Sequence, residues 1–200
     1  MQLSTLVSLS TLYTLGLGAA VPGQQPKVTL RHPNQGVPLN LLAQRTSCGE
    51  GADRVCYGAG GGTSQDLDPE DVEYAALYLR YLADTNSNPV WNMPSEFDCA
   101  EWTLPLFGAG TVLALAKHIN PRTNSGVTYH DLARTIDGGE DASDEERAAS
   151  LLGGCGANGG QLGVIVDLEN PAYKTPEYIE SGMKPADIIV KLVRDPAYEG

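Results

Sequence analysis

Across residues 97–166 the period of the apolar positions changes several times, and each change predicts an element. Residues 97–104 (FDCAEWTL) alternate at a period of two and predict a strand carrying Cys99 and Trp102, ended by Gly108-Ala109-Gly110. Residues 111–119 are mostly apolar, as a central strand would be. Thr128 then stands three residues before Asp131 as a helix cap, with Tyr129, Leu132, Ala133 and Ile136 facing inward and Gly138-Gly139 as the stop. Ser143 and Glu146 form a second capping box, with Ala148, Ala149, Leu151 and Leu152 facing the core and Gly153-Gly154 as its end. Residues 161–166 predict a further strand.

Upstream, Asp68 as cap, Pro69 at the first position and Glu70 and Asp71 near the positive helix end announce a helix. Val72, Ala75, Ala76, Leu79, Leu82 and Ala83 recur at helical spacing and give it an apolar stripe. Tyr74, Tyr78 and Tyr81 form a neighbouring stripe, which is either the shoulder of the core or a contact surface. Residues 85–95 and 120–126 read as turn-rich linkers, and 171–185 as loop or one short turn. Residues 187–194 (DIIVKLVR) predict a last strand, with a short helix starting at Pro185 as the alternative.

The amino-terminal third has another character. Residues 1–20 carry no charge and run through seven Leu and Val to Gly18-Ala19-Ala20, the pattern of a cleaved export signal. Residues 21–47 are rich in Pro, Gln, Asn and Gly, with KVTL and VPLNLL as the apolar runs, and predict a loosely ordered arm. Residues 48–200 are then expected to form a single domain.

Charge narrows the partners. The chain carries 25 acids against 13 bases, a formal charge of −12. Such a field repels phosphate backbones and anionic lipid surfaces, so neither nucleic-acid binding nor membrane insertion is expected. The four cysteines, Cys48, Cys56, Cys99 and Cys155, are too widely spaced for a zinc cluster. In an exported chain they predict two disulfides, with three connectivities open.

Catalytic patterns are weak by comparison. The glycine cluster at 58–62 lacks the Gly-Lys-Ser/Thr of a phosphate loop. His32, His118 and His130 have no serine elbow to serve. Glu96, Asp98 and Glu101 flank Cys99; on a strand Glu96 and Asp98 would share a face, the raw material of a glycoside hydrolase pair. The acidic run at 137–146 reads as a solvated helix start. No metal site and no cofactor are expected.

The order of elements from Cys48 resembles the virus-encoded killer toxin of smut fungi and related secreted killer-toxin-like proteins. The likeness rests on CGEGADRVC, the helix over 71–83, FDCAEW, GTVLALAKHI, TYHDLARTI, GGCG and GGQLGVIV, covering residues 48–166. It implies an α/β (α+β) sandwich, an antiparallel sheet covered by two or three helices, with Cys155 bonded to Cys48 or Cys56. It departs from that family at residues 112–116, which lack the usual cysteine, and at Cys155, which stands alone. The founding toxin is basic, so its interference with calcium uptake does not carry over to a chain at −12. The expected function is a non-enzymatic toxin or effector acting on a target-cell or host protein. The alternatives are a wall-polysaccharide-binding module using Trp91, Trp102 and the tyrosines, and a secreted hydrolase.

Overall fold

Asp68 opens the first long helix as its position predicts. In the computed structural model, which describes residues 47–198, its Oδ1 accepts from the Glu70 N–H at 2.9 Å and α1 runs Pro69–Thr85. The export segment at 1–20, the arm up to residue 46 and His32 lie outside the described residues. Val72, Ala75, Ala76, Leu79 and Ala83 are buried along α1, and complete burial of a side chain such as Leu79 is worth about 2 kcal/mol. The alanines keep this face shallow, so α2 (Tyr129–Asp137) packs closely against it through Leu132, Ala133 and Ile136.

Both helices lie over one face of a five-stranded antiparallel sheet. Its strands are β1 (Val55–Cys56), β3 (Trp102–Thr103), β4 (Val112–His118), β6 (Gly160–Gly163) and β7 (Ile188–Arg194), in the order β1-β6-β7-β4-β3. Residues on β4 alternate between buried and half-buried. Val112, Ala114 and Ala116 join Ile188, Val190 and Leu192 of β7 in the core, in the register Ala114↔Leu192, Ala116↔Val190 and His118↔Ile188. The short helix α4 (Leu151–Cys155) adds Leu151 and Cys155 to the same layer. A mixed α/β fold of an antiparallel sheet with packed helices and two disulfides is therefore what the chain forms.

The bridges are Cys48–Cys99 and Cys56–Cys155, spanning 51 and 99 residues. Cys155 does bond to one of the two early cysteines. CGEGADRVC is thus no closed loop, because each of its cysteines reaches a different distant element.

Several local expectations are corrected. Residues 97–104 do not form one strand: a 3-10 turn at Ser95–Phe97 and a left-handed Asp98, with φ of 47°, precede the two-residue β3. The supposed linkers hold a second sheet, β2 (Val90–Met93) paired antiparallel with β5 (Ser125–Thr128). Pro89, Asn88 and Asn124 next to these short runs masked them. The Ser143 capping box is present, but α3 (Asp144–Ala149) ends at Ser150, whose side chain starts α4 by accepting from the Gly153 N–H. Ala148 and Ala149 are consequently exposed, and Gly153-Gly154 lie inside a helix rather than ending one. Downstream, residues 171–185 supply a 3-10 turn at Pro171–Lys174 and α5 (Pro176–Glu180). Ile188–Arg194 is strand, as the β-branched run favoured, and β7 lies at the middle of the sheet.

Candidate contact surface

The tyrosine stripe is neither core nor shoulder over most of its length. Tyr81 is 57% exposed, Leu77 57% and Tyr74 38%, with Tyr78 half-buried between them. Helical spacing lines the rings up: centroids of Tyr74 and Tyr78 are 6.0 Å apart and those of Tyr78 and Tyr81 are 5.9 Å apart. The Tyr74 hydroxyl donates to the Phe107 carbonyl at 3.0 Å, which fixes one end of the row to the loop before β4. Phe107, 78% exposed, extends the aromatic surface; it was missed because a lone phenylalanine between Leu106 and Gly108 carries no periodic signal.

Asp71 anchors that loop from the other side. Its Oδ2 accepts from both the backbone N–H and the hydroxyl of Thr111, each at 2.7 Å. Gly110 lets the loop come this close, since a Cβ there would stand 2.3 Å from the Asp71 carboxylate and φ is +51°. The tyrosine-bearing face of α1 and the loop bearing Phe107 are therefore one braced unit.

Trp91 and Trp102 belong elsewhere. Both are half-buried against the core. Trp102 stacks on Phe97, with centroids 3.7 Å apart and planes 11° off parallel. Its Nε1 is buried with no hydrogen-bond partner among the described residues. With one face covered by Phe97, the Trp102 ring is a poor platform for a sugar.

The carboxylates around Cys99 do not sit on a strand. Glu96 lies on the 3-10 turn, and the Asp98 carbonyl accepts from, or is faced by, His118 Nδ1 at 2.9 Å. Glu101 Oε1 is 2.5 Å from Lys191 Nζ, which also meets Glu50 Oε1 at 2.7 Å; the other Glu50 oxygen pairs with Lys117. Burial works against the charged Glu50, but the two ammonium groups outweigh it and hold the carboxyl below its ordinary value. Burial likewise opposes the charged Lys191, and the two carboxylates outweigh it to raise the amine. This four-member chain of charges ties the segment after Cys48 to the outer face of the sheet.

His118 and His130 have separate settings. His118 is fully buried, with Nδ1 facing the Asp98 carbonyl and Nε2 the Met93 carbonyl, both at 2.9 Å. His130 is 3.2 Å from Asp84 at the surface. A polar cleft of about 340 Å³ lies beside it, lined by Arg80, Arg134, Gly139, Glu140 and Asp141 among others. Its guanidinium groups are already engaged: Arg80 is bidentate to Asp137 at 2.8 and 2.5 Å, and Arg134 is 3.6 Å from Asp167. A second cleft of about 390 Å³, bordered by Val90, Ala172, Tyr178 and Met183, lies over the smaller hydrophobic cluster. Among the described residues no cluster of three His, Cys, Asp or Glu is placed to hold a metal ion, and no helix is long and apolar enough to cross a membrane.

No family model matches this chain, and no curated protein or solved structure matches it.

Proposed function

We propose that the chain is an exported, non-enzymatic toxin or effector of the killer-toxin-like kind, acting on a competing microbe or a host by surface contact through α1. The observation that carries this reading is the exposed row of Tyr74, Leu77 and Tyr81 with Phe107, flanked by the half-buried Tyr78, which leaves large apolar area in solvent on a braced scaffold. Such exposure gives no stability to a monomer, and rigid tyrosines are favoured anchors for a partner. Two disulfides suit an oxidising, extracellular setting. The test is growth inhibition of fungi and bacteria, and leaf infiltration, with purified protein. Wild type is expected to act and Tyr81→Ala to lose potency while keeping its circular dichroism. Inactivity of the wild type on every target would overturn the reading.

A second reading, binding to a wall polysaccharide, is favoured by the same row, since tyrosine faces stack on sugars. It draws less on Trp102, whose ring is stacked on Phe97. In a polysaccharide pull-down Tyr81→Ala, rather than Trp102→Ala, is the informative variant.

A further inference from the structure

Five exposed positions on α1 follow one another at intervals of four, three, four and three residues: Glu70, Tyr74, Leu77, Tyr81 and Asp84. That alternation keeps a straight line on a helix surface. At a rise of about 1.5 Å per residue, the two tyrosines stand about 10 Å apart along the axis and the two carboxylates about 21 Å apart. The stripe is thus an apolar bar of two aromatic rings and a leucine, bracketed by an anionic group at each end. The one base of α1, Arg80, is buried against Asp137 and adds no charge to this face; from α2, the His130 imidazole stands 3.2 Å from the Asp84 carboxylate at one end of it.

We propose that this face binds a linear β-1,4-linked glucosamine chain, a wall polysaccharide with free, protonated amines. The proposal rests on the contact-surface reading above and names its ligand. Successive sugars in a β-1,4-linked chain are turned over, so every second ring offers the same C–H face. Two rings seven residues apart on a helix match that kind of repeat, and Tyr78, tilted 37° from Tyr74 and 46° from Tyr81, fills the interval. The amines meet the tyrosine faces as cations and the exposed carboxylate of Glu70 as a counter-charge, and at the other end they share the Asp84 carboxylate with His130. Polyanionic glycans are repelled, because the chain carries −12. A second copy of this protein fits poorly: an antiparallel pairing of the stripes sets Glu70 against Asp84, and a parallel pairing sets each acid against its twin.

The experiment is titration calorimetry of the full chain at mildly acidic pH and low salt with four probes: the glucosamine hexamer, its fully N-acetylated counterpart, a β-1,3-linked glucose hexamer and hexalysine. The expected result is binding of the glucosamine hexamer, weakened about tenfold or more by Tyr74→Ala or Tyr81→Ala, the scale of one lost cation–π contact. Glu70→Gln with Asp84→Asn should remove the preference over the acetylated hexamer. Binding should fade with added salt and as pH rises through the pKa of the sugar amine. Equal binding of the acetylated hexamer overturns the proposal, as does indifference of the glucosamine affinity to Tyr81→Ala, which would mark simple charge attraction. Hexalysine binding of equal strength and equal tyrosine dependence overturns it in favour of a basic polypeptide partner. If no hexamer binds but Tyr81→Ala still abolishes growth inhibition, the ligand assignment falls and the toxin or effector reading stands.

Discussion

Asp71 illustrates how one side chain can serve two purposes, since it favours the positive end of α1 and also receives both polar hydrogens of Thr111. Replacing it with alanine leaves a buried hydroxyl and a buried N–H short of an acceptor, so Asp71→Ala should cost about 1–3 kcal/mol in urea unfolding. Gly110→Ala should cost a similar amount in the wild type, because the new Cβ strikes that carboxylate at 2.3 Å and the backbone is left-handed. The two losses should not add: with Asp71 shortened, the clash vanishes and only the backbone cost of the alanine remains. His118 is a comparable joint, its two ring nitrogens set between the carbonyls of Met93 and Asp98. His118→Phe fills the space but removes the ring N–H that one of these carbonyls accepts, and a loss of about 1–3 kcal/mol, read from the same unfolding curves, is expected.

At the scale of elements, α1 and α2 were legible because their caps and apolar stripes agree. Thr128 accepts from the Asp131 N–H at 3.1 Å, and Gly138 closes α2 in the left-handed region. Capping chemistry is local, so it is written in adjacent residues. The β2–β5 sheet was not legible, since its two strands of four residues sit among proline and asparagine and gain their stability from pairing across sequence. Side-chain direction was the other hidden quantity. Asp131 reads as a surface residue of the first helical turn, yet it is fully buried and accepts from Tyr173 and from the Asp167 N–H. The same limit held for the tyrosine stripe of α1: the spacing of its rings was visible, but whether they faced core or solvent depended on where α2 and the sheet lay. The α3 segment has all six residues out of the core, so its box is its main local support. Ser143→Ala should therefore raise amide exchange across Asp144–Ala149 by a factor matching about 1 kcal/mol, while global stability moves less.

For the whole molecule, the two bridges close loops of 51 and 99 residues. Restricting the unfolded chain in this way is worth about 4 kcal/mol for each, so the Cys56→Ser, Cys155→Ser pair should lower the unfolding midpoint in urea more than any single substitution named above. The charges linking Glu50, Lys117, Lys191 and Glu101 set a pH range. Glu50 is lowered in the folded chain, so its contribution is complete above the ordinary carboxylate value and is lost as pH falls through the folded value. Lys191 is raised, so its contribution is complete below the ordinary amine value and is lost as pH rises through the folded one. Tyr178, pushed up to about 12 by burial and then by the charge of Asp131, adds to the alkaline loss between its ordinary value of 10.0 and that figure. Thermal melting should accordingly show a plateau across neutral pH with an acid and an alkaline limb. Glu50→Gln should lower the plateau and flatten the acid limb.

The sheet is also finished at its margins. β1 and β3, the outermost strands, are two residues long each, and Cys56 on β1 is tied back to α4. A border that short offers a neighbouring molecule almost no backbone to copy. Among the described residues, the five-stranded sheet thus leaves a second copy little edge along which to lay down a strand of its own.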